Sequence, residues 1–234
     1  MKLLTCYTQS HSVFLKHFAT LYDLNDDIEI ILKLLPQECP TGEFADAGWK
    51  LTTARKFVFI LEELDKCKEG ELLIFSDVDV QFFRPITPLA EKALANHDIV
   101  FQNDYIGHAC TGFFYMRNNE SVRNLIAKAL ALIPTSRDDQ DAMNKILPTW
   151  EGKYALLPVE FFTFGIFHQH WHEKYIDFPI PDGIVMHHAN WIKGIEKKLK
   201  LLITVRSIYE NRIQLDTNTS ANQTSEQTMG TSSS

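Results

Sequence analysis

Leu72-Leu73-Ile74-Phe75-Ser76-Asp77-Val78-Asp79-Val80-Gln81-Phe82-Phe83-Arg84-Pro85 is the stretch that decides how this chain of 234 residues is read. It opens with a short, uniformly apolar run, as in a central strand buried on both faces, and the run stops abruptly at Asp-Val-Asp. In an extended chain Asp77 and Asp79 point to the same side, about 6 to 7 Å apart along the strand. Like charges side by side repel, and burying even one unpaired carboxylate is costly. A hard cation resolves the conflict: Mg²⁺ or Mn²⁺ takes oxygens from one or two carboxylates and fills its shell with water and phosphates. Carboxyl ends of strands are also where open α/β sheets bind ligands. Taken alone, the pair reads equally well as a solvated turn at a strand end.

Around this strand, short apolar runs alternate with helical periods, the pattern of an α/β layer fold. Strands are expected at Lys2–Tyr7, Ile28–Leu35, Leu72–Ser76, Asp98–Gln102 and Gly112–Arg117. Ala54, Phe57, Val58, Leu61 and Leu64 recur at helical spacing before the stop Lys68-Glu69-Gly70. Val122–Ile133 and Gln140–Leu147 read as two more helices. Tyr154–Pro181, dense in Phe, His and Pro, reads as loops and short strands over a cleft. No linker splits residues 1–215, which are expected to form one domain. Residues 216–234, rich in Ser, Thr, Asn and Gln, bury too little to offset their ordering entropy and are expected to be a disordered tail.

The balance of 23 Lys+Arg against 30 Asp+Glu gives a net charge of −7, which argues against a protein that grips nucleic acid by counterion release. Cys6, Cys39, Cys67 and Cys110 form no CxxC pair and read as reduced, packed thiols. Neither a signal peptide nor an apolar run of the roughly 20 residues a membrane span needs is found. The reading is therefore a soluble, cytoplasmic protein, with oligomeric state left open.

Two further segments carry chemistry. Asp138-Asp139-Gln140-Asp141-Ala142-Met143-Asn144 opens a helix, and capping accounts for only part of its acidic cluster. His187-His188-Ala189-Asn190-Trp191-Ile192-Lys193-Gly194-Ile195-Glu196-Lys197-Lys198 offers an imidazole for a metal, then a glycine and lysines for phosphate.

Together these blocks resemble the nucleotide-diphospho-sugar transferases, glycosyltransferases of the GT-A fold, and in particular glycosyltransferase family 77 with its bacterial and viral relatives. The likeness runs from Leu3 to about Leu202, in the family's order: Leu3-Leu4-Thr5-Cys6-Tyr7, Lys56, FSDVDVQFFRP, Thr111-Gly112-Phe113-Phe114-Tyr115, Asp139-Gln140-Asp141 and HHANWIKGIEKK. It implies a Rossmann-like GT-A domain with a mixed, mostly parallel sheet flanked by helices. It also implies a metal-dependent transfer from a nucleotide-sugar donor, UDP-linked, to a glycan acceptor hydroxyl.

Carried over residue by residue, the resemblance makes Asp77, Asp79 and one of His187 or His188 the ligands of Mn²⁺ or Mg²⁺, with His188 favoured by its spacing to Asn190, Gly194 and Lys198. Gly194 and Lys198 then face the diphosphate, with Lys197 as the alternative lysine. Thr5 and Tyr7 meet the nucleotide, while Lys56 reaches the donor's phosphate or sugar. Thr111 and Gly112 lie under the donor sugar, and Asp104 accepts its hydroxyls. Asp139 and Gln140 resemble the residues beside the anomeric carbon in retaining members, where they position and stabilise. An inverting enzyme would instead need a general base, for which Asp139 or Asp141 is available. Cys110 departs from the pattern, since many relatives have Asn before Thr-Gly. His108, His168, His170 and His172, with Trp171 and Phe161 to Phe167, are expected on the acceptor side. The other readings are a haloacid-dehalogenase-like phosphatase, which also ends an apolar strand in D-x-D but near the start of its chain, and a catalytically silent domain of the same fold that binds a nucleotide or glycan.

Overall fold

The computed structural model describes residues 1–229 apart from Asn25 and Ile106, and from residue 216 on the backbone alone. Along the chain come β1 (Lys2–Tyr7), α1 (Leu15–Phe18), β2 (Glu29–Leu34), α2 (Trp49–Leu64), β3 (Leu72–Asp77), β4 (Val80–Phe82), α3 (Thr87–Ala93), β5 (Ile99–Asn103), β6 (Ala109–Arg117), α4 (Glu120–Leu132), α5 (Asp139–Ile146), β7 (Tyr154–Leu156), β8 (Phe161–Thr163), β9 (Met186–His188) and α6 (Ile195–Met229).

Six strands form the central sheet in the order β2-β1-β3-β6-β5-β7. The pairs β1·β2, β1·β3 and β5·β7 are parallel, while β6 runs antiparallel to both its neighbours. The mixed, mostly parallel sheet implied by the sequence is thus present. Period-2 alternation in β3 explains how both faces are used: Leu73 and Phe75 enter the core under α2, α4 and α5, and Ile74 enters the core on the other face. That second core is covered by α6, through Leu201, Leu202 and Val205, and by a small sheet of order β4-β9-β8.

Helix α2 packs through Thr53, Lys56, Phe57, Ile60 and Leu64. Val58, assigned by periodicity to the buried stripe, is 41% exposed. The stripe is turned because α2 faces the cleft as well as the core, so a lysine takes a place that hydrophobicity gives to valine. Helix α6 carries no clear signal in the sequence analysis, and its backbone continues to Met229, into the segment expected to be disordered. Once packed turns have nucleated a helix, adding residues is nearly free. The side chains from 216 on, and residues 230–234, lie outside the described residues. The described helices include none long and apolar enough to cross a membrane.

Candidate active site

Strand β3 does not continue as an extended chain through the acidic pair. It ends at Asp77, bends at Val78 and Asp79, and resumes as β4 in the other sheet. This corrects the expected same-side spacing along one strand: the bend, not strand periodicity, brings the two carboxylates together. β9 lies antiparallel to β4 with His188 opposite Val80, and the Ala189 N–H donates to the Asp79 carbonyl at 2.9 Å. Asp77, Asp79 and His188 therefore converge, their ligand atoms all within 4.8 Å of one another.

Adjacent histidines on a strand face opposite ways, and that decides between them. His187 points into the core, fully buried, its ring 5.4 Å from that of Phe162 and its Nδ1 3.3 Å from Gln81 Nε2. Burial pushes its pKa down to about 3, so it stays neutral. His188 faces the cleft, with Nε2 3.4 Å from Asp79 Oδ1. Its orientation is set from behind. Gln102 donates its amide to the carbonyls of Phe161 and Phe162 at 3.1 Å each, which turns the amide oxygen to His188 Nδ1 at 3.0 Å. His188 Nδ1 therefore carries the proton, and Nε2 is the nitrogen available to a cation.

Three carboxylates meet here, against two lysines. Lys198 Nζ lies 2.6 Å from Asp79 Oδ2; Lys56 Nζ lies 2.7 Å from Asp139 Oδ2 and 3.4 Å from Asp77 Oδ1. Burial works against the Asp79 carboxylate, yet Lys198 and His188 hold its carboxyl well below the usual range. Burial likewise opposes charge on Asp139, and Lys56 outweighs it. Asp77 differs: burial raises its carboxyl, and Lys56 does not fully compensate. Burial also opposes charge on His188, but the Asp79 carboxylate lifts it to about 10. With His188 protonated as well, the three carboxylates are matched by three positive groups, and a metal ion taking Nε2 would displace a proton from His188.

Two carboxylates and an imidazole nitrogen form a donor set that suits Mn²⁺ or Mg²⁺. The floor of the cluster fits as well. At Gly112 a Cβ would lie 2.2 Å from His188 Cε1 and 2.8 Å from Asp77 Oδ2, so only glycine leaves this space open. A break in the β5·β6 ladder places it there: Phe101 pairs with Phe114, but Gln102 pairs with Cys110, leaving Thr111–Phe113 as a bulge. Gly112, expected beneath the donor sugar, lies beneath Asp77 and His188.

The other expected residues are distributed as follows. The cleft, about 560 Å³, is lined by Tyr7, Lys56, Asp77, Asp79, Asp104, Thr111, Gly112, Asp139, Gln140, His188 and Lys198 among others. Thr5 is outside that lining, fully buried with its hydroxyl unpartnered, because it lies deeper in β1 than Cys6 and Tyr7, which line the cleft. Gly194 precedes α6 at φ 110°, a conformation reserved for glycine, and its carbonyl accepts the Lys198 N–H at 2.9 Å. Lys56 is committed to Asp139, Asp77 and the Thr111 carbonyl at 3.3 Å, so it sets the positions of acidic groups. Asp139 also accepts from Thr111 Oγ1 at 2.7 Å. Cys110 Sγ lies 3.6 Å from His188 Nδ1 and accepts from the Gly112 N–H at 3.4 Å.

Asp104 is the centre of a second cluster. Its Oδ2 accepts from Gln140 Nε2 at 2.9 Å, and its Oδ1 accepts from Asn190 Nδ2 at 2.6 Å and Trp191 Nε1 at 2.9 Å. A carboxylate offers about four acceptor positions, so most of Asp104 is used inside the protein. Sequence reasoning missed Gln102, for which a glutamine inside the apolar strand Ile99–Asn103 was the available signal.

Comparison with known proteins agrees with this geometry. The model of the nucleotide-diphospho-sugar transferase family matches residues 35–202, more than half of the chain. No curated protein sequence matches it. Among solved structures, the glycosyltransferase GlyE of Streptococcus pneumoniae TIGR4 is similar with a TM-score of 0.54 at 13% identity, covering 82% of this chain and 55% of that one. The galactosyltransferase LgtC, solved with donor and acceptor sugar analogs, matches with a TM-score of 0.51 at 13% identity over 86% and 95%. A glycosyltransferase involved in glycosylation of the major capsid of PBCV-1 gives 0.59 at 12% over 86% and 97%. At such identities the neighbours establish the fold, which is GT-A. The family match removes the ground for a haloacid-dehalogenase-like phosphatase, and the chain that carries the Asp77–Asp79–His188 cluster belongs to the nucleotide-diphospho-sugar transferase family.

Proposed function

We propose that this protein transfers a sugar from a nucleoside diphosphate donor, UDP-linked, to a carbohydrate hydroxyl, using Mn²⁺ or Mg²⁺ and retaining the anomeric configuration. The observation that carries the reading is the convergence of Asp77, Asp79 and His188 over Gly112, with Lys198 alongside. When bound, the cation neutralises charge that develops on the leaving diphosphate. Lys198, in the first turn of α6, adds fixed positive charge beside the same leaving group. Tyr7, at the cleft end of β1, flanks the nucleoside.

The acidic residues support retention. Asp139 is locked by Lys56 and Thr111, which suits a fixed anion that stabilises positive charge at the anomeric carbon. Gln140 gives one amide hydrogen to Asp104, which leaves its other N–H and its amide oxygen to a substrate. Asp141, the alternative base, is bound by Lys145 at 2.7 Å and by the Arg137 N–H at 2.9 Å. Inversion needs a free general base near the acceptor, and these carboxylates are already engaged.

The test is a panel of UDP-sugars and other nucleotide sugars with simple glycan acceptors and Mn²⁺, the anomeric proton of the product read by NMR. Transfer from a UDP-sugar that stops with a chelator, with the donor's configuration preserved, is expected. An inverted product would sink the retention assignment, and donor binding without transfer or hydrolysis across the panel would favour a silent binding domain.

A further inference from the structure

Among the described residues, Ala45, His168 and Trp191 are the non-glycine residues in left-handed backbone conformation, at φ 66°, 54° and 60°. Such a residue is strained unless its surroundings hold it, and held strain concentrates at functional positions. Two of these three carry rings to one place. The Trp191 ring lies 5.3 Å from that of Tyr105 at 80°, and His168 lies 6.0 Å from Tyr105 at 76°. Tyr105 stacks on His108 at 4.1 Å and 17°.

The rings are anchored from behind. Trp191 Nε1 donates to Asp104, and the indole presses on Gly165, where a Cβ would come within 2.5 Å of that nitrogen. His170 Nδ1 donates to the Trp191 carbonyl at 2.7 Å, which leaves its Nε2 as an acceptor. The turn bearing Tyr105 and His108 is closed by the Asp104 N–H to the His108 carbonyl at 2.9 Å and the His108 N–H to the Tyr105 carbonyl at 3.0 Å. An aromatic cluster built only for packing would be covered. Here Tyr105 and Trp191 are half-buried, His108, His168 and His170 are exposed, and Tyr105, His108, His170 and Trp191 line the cleft.

We propose that Tyr105, His108 and Trp191 form one wall of the acceptor subsite: a single pyranose ring packs its C–H face on the outer face of the exposed His108 imidazole, which Tyr105 backs by stacking, beside the Trp191 indole that stands nearly perpendicular to Tyr105, and its hydroxyls meet the imidazole nitrogens of His108 and His170. A pyranose is a ring with an apolar face and a polar rim, and rigid aromatic surface edged by hydrogen-bonding groups complements both. Asp104 ties this wall to Gln140, the neighbour of Asp139, so an acceptor seated there is next to the residues assigned to the reacting carbon. The proposal rests on the transfer reading above.

The test uses the full chain loaded with Mg²⁺ and UDP, and saturation-transfer NMR with glucose, galactose, N-acetylglucosamine, lactose and cellobiose. At least one of these sugars is expected to bind, saturated chiefly on one ring face. Tyr105→Ala then weakens it about tenfold, Tyr105→Phe keeps it, and UDP affinity stays within about twofold throughout. Binding of none of these sugars, or binding that Tyr105→Ala leaves unchanged, overturns the acceptor wall. So does a Tyr105→Ala variant that loses UDP and keeps the sugar, which assigns the rings to the donor. If the wild-type chain fails to bind UDP with Mg²⁺, the donor reading fails instead, and the same sugar measurement without nucleotide still decides the acceptor wall.

Discussion

At the Asp77 end of the cleft the working side chains are charged and held in ion pairs by strands and helices; at the Tyr105 end they are rings on turns, Trp191 held by the Asp104 carboxylate and the others by backbone hydrogen bonds and ring contacts. The difference lies in what each end must tolerate. Asp77 and Asp79 sit at the junction of two sheets, where ladder register fixes the backbone and Gln102 fixes His188 from below. A cation site needs that, because ligand atoms displaced by half an ångström no longer share an ion. The ring end is assembled from left-handed residues and short turns, which are easily altered without disturbing the sheet. A cleft divided in this way can keep its donor chemistry while its acceptor preference changes.

That division predicts effects of different size at the two ends. Asp79→Ala removes the partner of Lys198 and His188 together and should lower transfer by about a thousandfold, with circular dichroism unchanged. Gly112→Ala should cost about a hundredfold in metal affinity, by titration, because its Cβ meets His188 Cε1; retention of full metal affinity would break the cradle argument. Gln102→Leu, which removes the acceptor for His188 Nδ1, is expected to weaken metal binding about tenfold and to cost about 1–3 kcal/mol of stability from the unpaired Phe161 and Phe162 carbonyls. Asp104→Asn has the smallest expected effect on the donor. It should lower kcat about tenfold by loosening Gln140 while metal-dependent UDP affinity holds, and a fall in UDP affinity instead would erase the separation of the two ends.

The same contrast governs what was legible in the sequence. β3 could be read because Leu72 to Phe75 are apolar on both faces and the acidic pair follows at once. His188 was favoured over His187 by motif spacing, and strand alternation gives the physical reason. Lys56 was assigned to the donor by the resemblance, and periodicity does not reveal that α2 also turns it onto Asp139 and Asp77. β4, β8 and β9 have three residues each, too few for any period to show. Gln102 and Gly112 owe their roles to a bulge, which shifts register without leaving a compositional mark. The ring wall depends on Trp191 and His168 in a conformation neither residue type announces, so the sequence placed aromatic and histidine residues near an acceptor but not Tyr105 or Trp191 in a shared wall.

On the proposed reading, this acidic protein holds a diphosphate through a cation at Asp77, Asp79 and His188. The most direct measurement is the melting temperature of the full chain with Mn²⁺ alone, UDP alone and both together. Little change is expected with either alone and a rise of about 5 °C with both, since each completes the other's site. A rise with UDP that a chelator leaves intact, or no rise with the pair, would contradict it.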